Sequence, residues 1–290
     1  MRKPIITAMG AVLIWSTMAA TVKMFAEDLP DLELLCAASV FGALFLLVLT
    51  VCSGRIRLIR QYRFSDWLET AGTGVFLFLY NALYYFGLGR LSAQEGCIIN
   101  YLWPLMTVIF ACIIMKEPFT TMKIVAMICS FIGIIIITVS NGAGGIGSGA
   151  FIGRLSCFGG ASCYGLFSVL NKKQDRDQYI SMVVYWLVTA VCSLLFGQFG
   201  EPWKAISSFQ WIGVFWIGLF VNAAANILWA FAINGSGKKT AVIANLAYLV
   251  PFFSLFVTLI LLGEKITIYA LFALAFIVGG ILLQSRLERA

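Results

Sequence analysis

The 290-residue sequence has no histidine, and only 11% of its residues are charged. Without an imidazole, neither a Ser-His or Cys-His nucleophile pair nor a histidine-ligated metal centre can be built. The eight cysteines (positions 36, 52, 97, 112, 129, 157, 163 and 192) form no Cys-x-x-Cys pair and fall inside or at the ends of apolar runs, so they read as small apolar filler rather than disulfides or zinc ligands. No paired aspartates occur within an apolar stretch. An enzyme is therefore not expected, and neither a catalytic residue, a metal nor a cofactor is assigned. Also missing is any polar stretch large enough for a sizeable soluble domain.

What remains is apolar: 61% hydrophobic residues and a mean hydropathy of +0.95 place the chain in a bilayer. Crossing the hydrocarbon takes about 20 apolar residues per helix. The sequence divides into ten such spans, at 5–25, 32–52, 67–88, 93–115, 120–140, 151–171, 180–199, 209–233, 238–262 and 266–285. The first, starting near Ile5 with no small-residue cleavage site behind it, reads as a retained span rather than a signal peptide. Fifteen of the twenty basic residues gather on one side, among them Arg55, Arg57, Arg60, Arg63, Lys172, Lys173 and Arg176, while the acidic turn Glu27–Asp31 lies on the other. By the positive-inside rule both termini are expected in the cytoplasm. The net charge of +7 is thus a topology signal, and no nucleic-acid partner is expected.

The chain repeats itself. Tyr101, Leu102, Pro104, Glu117 and Thr120 recur as Tyr248, Leu249, Pro251, Glu264 and Thr267, each 147 positions on. The one glycine-rich connector, Asn141–Gly149, stands at the midpoint, with no strand before it and no Gly-Lys-Ser/Thr to make it a phosphate loop. The expected organisation is a first five-helix repeat over 1–140, a linker over 141–150 and a second repeat over 151–290. An odd number of helices per half means that the second half crosses in the opposite sense. The fold class is therefore all-α integral membrane, ten transmembrane helices as two inverted five-helix repeats, with the substrate site expected near the midplane between the halves.

Charge within the spans is nearly absent. Glu95 is the exception, a candidate for a gate or for structure; Lys23 and Glu69 read as interfacial. In place of charge the spans carry rings and amides on helical faces. These are Asn81, Tyr84, Tyr85 and Leu88 on the third, Gly96, Asn100, Trp103, Pro104 and Thr107 on the fourth, Tyr164, Ser168 and Asn171 on the sixth, and Asn222, Asn226 and Trp229 on the eighth. Interhelical hydrogen bonds and interface belts use the same residue types. Four helices that each set an amide or hydroxyl beside an aromatic near mid-span favour a lined cavity, with Asn81, Tyr84, Asn100, Trp103, Tyr164, Asn226 and Trp229 as its candidate binding residues. Pro104 and Pro251 are expected to remove one helix hydrogen bond each and to bend a moving helix. Cys157, Ala161 and Gly165, and likewise Ala38 and Gly42, permit close helix contact.

The two copies, Asn100-Tyr-Leu-Trp-Pro104 and Ala247-Tyr-Leu-Val-Pro251, each followed thirteen positions later by a glutamate, together with the ten-span layout, resemble the drug/metabolite transporter superfamily in its EamA branch. The Asn100–Pro104 stretch resembles the bacterial aromatic amino acid exporters of the YddG type. This resemblance implies a basket in which spans 1–4 and 6–9 surround a cavity while spans 5 and 10 lie outside. It implies export of amino acids or similar small metabolites across the bacterial inner membrane by alternating access. It also places Asn100, Tyr101, Trp103 and Pro104, with Tyr248 and Pro251 of the second copy, along the pathway. Val250 stands where Trp103 stands in the first copy, so the halves cannot offer equal aromatic walls. The expected partners are a small-molecule substrate and the lipid bilayer, with a monomer as the working unit. An importer of a quaternary-amine or polar solute, a lipid-linked substrate translocator and a non-transporting membrane component remain the alternatives.

Overall fold

The computed structural model describes residues 2–25, 28–118, 120–140, 148–174, 176–234, 243 and 246–287. Residues 141–147 of the expected linker, and Lys238, Lys239 and Arg289 of the charge pattern, lie outside the described residues. Among the described residues there are helices and no strand. Helices α1 (Arg2–Ser16) and α2 (Met18–Phe25) form one stretch interrupted at Thr17, followed by α3 (Asp31–Cys52) and α4 (Phe64–Leu88). Next come α5 (Ala93–Asn100) and α6 (Trp103–Ile114), then α7 (Thr121–Ser140), α8 (Gly149–Gln174) and α9 (Gln178–Gly197). A π-helical segment, Trp216–Ala224, joins α10 (Ser208–Phe215) to α11 (Ala225–Asn234). A 3-10 turn, Leu246–Leu249, leads into α12 (Val250–Leu262), and α13 (Ile268–Leu287) closes the chain.

Among the described residues, six stretches are long and apolar enough to cross a membrane: Lys3–Phe25, Asp31–Cys52, Phe64–Leu88, Ala93–Ile114, Gln178–Gly197 and Ser208–Ala232. Shorter apolar helices occupy Met127–Ser140, Leu246–Leu262 and Ile268–Gly280. The outward faces are apolar as lipid requires: Leu155, Phe196 and Ile260 stand exposed without polar relief. α8 is more polar along its length and is packed against α4 and α6. Starts are fixed by local chemistry. Ser92 accepts from the Glu95 N–H at 3.1 Å, and Asp177 from the Tyr179 and Ile180 N–H groups at 3.0 and 3.2 Å. The Glu264 carboxylate, at the far end of α12, accepts from the Ala93 and Gln94 N–H groups at 2.8 and 3.0 Å and so caps α5 from the other half of the chain.

The packing repeats with the sequence. Shifting α7 by 147 positions lands it on α13 residue for residue. Exchanging α1–α2 with α8, α3 with α9, α4 with the 208–234 stretch, α5–α6 with the 246–262 stretch and α7 with α13 carries the most extensive packed pairs onto one another. The α4–α8 contact becomes that of 208–234 on α1 and α2; α4–α9 becomes 208–234 on α3; α6–α8 becomes α12 on α1 and α2. Three pairs, α3 with α9, α7 with α13 and α5 with α12, map onto themselves. The chain is therefore two like halves, with α7 and α13 forming a separate layer around Ile137, Ala273 and Ile277.

Close approach depends on small residues at the expected places. A Cβ on Gly165 would lie 2.6 Å from Met106 Cβ, and one on Gly218 would lie 2.6 Å from the Ala38 carbonyl, so neither seam could hold a larger residue without moving apart. The expectation for the prolines needs correction. Pro104 and Pro251 stand at the first turn of α6 and α12, just after Leu102 (φ −76°, ψ −12°) and Leu249 (φ −80°, ψ −19°). At that position the missing N–H is one that a helix leaves unpaired anyway, so each proline opens a new helix rather than bending an old one.

Candidate functional site

A cavity of about 470 Å³ lies between the halves, a size within the range of small-molecule sites (roughly 300–1,000 Å³). Its wall is made by α1 and α2, α4, α5 and α6 on one side and by α8, α9, the π segment with α11, and the 246–254 stretch on the other. Neither α7 nor α13 reaches it, as expected for the peripheral pair. α3 is also absent, contrary to the expected basket. Its Ala38 and Gly42 pack directly on Gly218 and Asn222 of the π segment, which puts α3 behind the wall.

Rings dominate one side. Tyr80 and Tyr84 stack at 6.0 Å, Tyr80 meets Tyr164 at 4.7 Å, and Trp103 meets Tyr164 edge-on at 5.1 Å. Tyr101 continues the chain at 6.3 Å from Trp103 and donates its hydroxyl to the Ala247 carbonyl in the other half. Trp15 and Trp229, which pack against the cluster of Val12, Tyr101 and Val250, pair at 5.4 Å. Among the described residues that line it there is no aspartate, glutamate, lysine or arginine. No group of three or more histidine, cysteine, aspartate or glutamate side chains that could hold a metal ion occurs among the described residues.

Eight of the nine expected binding residues line this cavity: Asn81, Tyr84, Asn100, Tyr101, Trp103, Tyr164, Asn226 and Trp229. Tyr248 does not. It packs behind the wall, between the clusters around Val250 and Leu255, while Tyr101 takes the cavity position from the first half. Two of the amides also differ from expectation in what they offer. Asn81 donates to the Leu77 carbonyl at 2.9 Å, and Asn226 donates to the Asn222 and Val221 carbonyls at 2.9 and 3.4 Å, so these N–H₂ groups serve the helices that carry them. The Asn226 bonds bridge the carbonyls of the widened turns where the π segment passes into α11.

Pro104, Pro251 and Glu95 stand outside the wall. Glu95 is buried, and its Oε1 accepts from Arg154 Nε at 2.7 Å, pairing α5 of the first half with α8 of the second. This pair and the Glu264 cap sit at one end of the bundle. At the other end Arg176 reaches Asp66 at 2.9 Å and Glu69 at 2.7 Å, and Arg55 pairs with Asp177 while stacking over Tyr179. Those outer groups are more exposed, so solvent screens them. The cavity lining extends toward this second end, to Asn171 and Gln178.

Tyr80 lies in the wall although the sequence reading places Tyr85 on that face, and Tyr85 is fully buried away from it. The signal is present in the sequence: Leu77, Tyr80, Asn81 and Tyr84 follow i, i+3, i+4, i+7 spacing, which centres the face one position back. Gln178, Met182 and Trp186 on α9, spaced by four, also line the cavity and are absent from the expected set.

The geometry has counterparts among known proteins. The sequence profile of the EamA-like transporter family matches residues 2–139 and again residues 151–286. The uncharacterised transporter YvbV of Bacillus subtilis is 29% identical over 252 residues, covering 84% of this chain and 80% of its own. The aromatic amino acid exporter YddG of Ancylobacter novellus is 24% identical over 284 residues, covering 96% of each. A protein of known crystal structure, 21% identical, superposes with a TM-score of 0.73 over 99% of this chain and 97% of its own, a likeness of fold.

Proposed function

The chain belongs to the EamA-like transporter family, and from that premise we propose that it is a secondary transporter exporting aromatic amino acids and similar small amphipathic metabolites by alternating access. The observation that carries this reading is the cavity shared by both halves, lined by rings and amides and, among the described residues, by no charged side chain. Rings offer an apolar body stacking at about 0.5–1.5 kcal/mol per pair, and neutral dipoles suit a head group whose own charges cancel. Affinity built this way is low, which suits a carrier that must release its cargo. The name of the exporter YddG, a distant relative, supports the same cargo class.

In this reading the chain crosses a bacterial inner membrane ten times as two inverted repeats, 1–140 and 151–290, with both termini cytoplasmic. Pro104 and Pro251 mark the points where the paired stretches flex, and the Glu95–Arg154 pair holds one end shut. The working unit is a monomer. The test is uptake of a labelled amino acid panel into proteoliposomes, with and without a pH gradient. Phenylalanine, tyrosine and tryptophan should be carried in preference to small polar amino acids. Transport restricted to permanent cations would replace the proposal with a quaternary-amine importer, for which the same rings would serve as a cation-π box.

A further inference from the structure

Most polar side chains on the cavity wall already have partners. Ser168 donates to the Tyr164 carbonyl at 2.8 Å, Asn171 accepts from Tyr185 at 2.8 Å, and Asn81 and Asn226 donate to their own helices. Three do not balance. Asn100 donates to the Tyr80 hydroxyl at 3.3 Å, but its Oδ1 has no partner among the described residues; neither has Asn222 Nδ2, nor Trp186 Nε1. All three residues line the cavity and are more than nine-tenths buried. A buried polar atom left without a partner is costly, and native structures keep few of them without a reason.

The three atoms are not of one kind. The free atom on Asn100 is an acceptor and belongs to the first half of the chain; the free atoms on Asn222 and Trp186 are donors and belong to the second. We infer that the cavity reads a zwitterion by its two ends: an ammonium donating to Asn100 Oδ1, and a carboxylate accepting from Asn222 Nδ2 and Trp186 Nε1, with the ring surfaces taking the side chain. This inference rests on the transporter reading above and adds to it the head group and the atoms that recognise it. Because the acceptor and the donors sit on different halves, only a solute carrying both groups bridges the halves. A solute lacking either charge leaves one side of the cavity with its orphan atoms.

The test is counterflow of labelled phenylalanine in proteoliposomes, with four unlabelled competitors: phenylalanine, its methyl ester, phenethylamine and 3-phenylpropionate. In the wild-type protein each of the three altered compounds should compete at least tenfold more weakly than phenylalanine, because each loses a hydrogen bond to a charged group. Asn222→Leu, and separately Trp186→Phe, should bring the methyl ester and phenethylamine to within about threefold of phenylalanine while leaving 3-phenylpropionate discriminated. Asn100→Leu should do the reverse. The wild-type comparison needs no variant, so a substitution that fails to fold still leaves a decisive measurement. Equal competition by all four compounds would overturn the inference while leaving an amino acid transporter in place. Discrimination that survives in all three variants would overturn it too. No transport of phenylalanine by the wild-type protein would instead remove the proposed function, and this inference with it.

Discussion

Removing Glu95 should unfold the protein more easily than removing any exposed carboxylate, and replacing both members of its pair should undo most of the damage. Glu95 Oε1 and Arg154 Nε are 2.7 Å apart, with side chains 4% and 9% exposed. In such surroundings the attraction barely repays the cost of taking two charges out of water, but deleting one partner takes from the other, still charged and buried, its 2.7 Å contact. Glu95→Gln and Arg154→Met should each cost about 3–5 kcal/mol, whereas Glu95→Leu with Arg154→Met should cost far less. At about 2–4 °C per kcal/mol for a large domain, each single variant should melt at least about 6 °C below the wild type. Thermal unfolding in detergent, followed by the monodisperse fraction after heating, reads this directly. As a control, Glu69→Gln removes a partly exposed partner of Arg176 and should shift melting by no more than about 2 °C. Single variants that melt with the wild type, or a double variant as unstable as the two losses added, would refute the argument. A stable double variant would also test the gate. With no pair joining α5 to α8, Cys97 on the neighbouring cavity wall should react faster with a thiol reagent supplied from that end, on a background lacking the other cysteines. Unchanged labelling would reduce the pair to a structural tie.

Trp103→Ala removes one ring contact to Tyr164 at 5.1 Å and should lower transport of phenylalanine and tryptophan about two- to tenfold, while threonine transport changes less; equal loss for all would deny the ring a role in selectivity. Because Pro104 and Pro251 occupy first-turn positions, alanine at either should change melting by less than about 1 kcal/mol yet slow transport, and wild-type rates in both variants would leave the prolines passive. A cysteine placed at position 58, in the basic turn Arg55–Gln61, should be silent to an impermeant reagent added outside intact cells; labelling there would invert the proposed topology.

Much of the wall is legible in the sequence because a helix face obeys a simple period. Asn100 and Trp103 on one stretch and Tyr164 on another follow it, and the 147-residue repeat announces two like halves. The period says where a side chain points and not which hydrogen bonds it keeps for itself. Where the π segment passes into α11, Asn226 lines the cavity as its position predicts, but its N–H₂ is spent on the Asn222 and Val221 carbonyls, which the face period does not show. Contacts between halves are invisible for a different reason. Arg154 meets Glu95 only because α8 packs on α5, and Trp186 reaches the cavity only because α9 joins its wall. Such pairings depend on which helices become neighbours, and a single sequence encodes that only through the packing it produces. Tyr248 shows the converse: a repeat predicts equivalent positions, but Tyr101 lines the cavity while Tyr248 packs against the clusters around Val250 and Leu255.

The matched packing of the halves has a thermodynamic consequence. In the proposed alternating-access cycle, if one half adopts the other's conformation, each of the main helix seams that opens at one end is matched by its counterpart closing at the other, so the two extreme states differ little in the packing of those seams. What separates them is whatever breaks the correspondence. Glu95 and Arg154 correspond to Val242 and Thr7 in the opposite halves, so the ion pair has no counterpart there. Arg55–Asp177 and the Arg176 pairs with Asp66 and Glu69 at the other end likewise fall on uncharged positions of the opposite halves. In the proposed cycle the resting preference is therefore set by the balance between ion pairs at the two ends, and about 1.4 kcal/mol of imbalance is enough to shift the occupancy ratio tenfold.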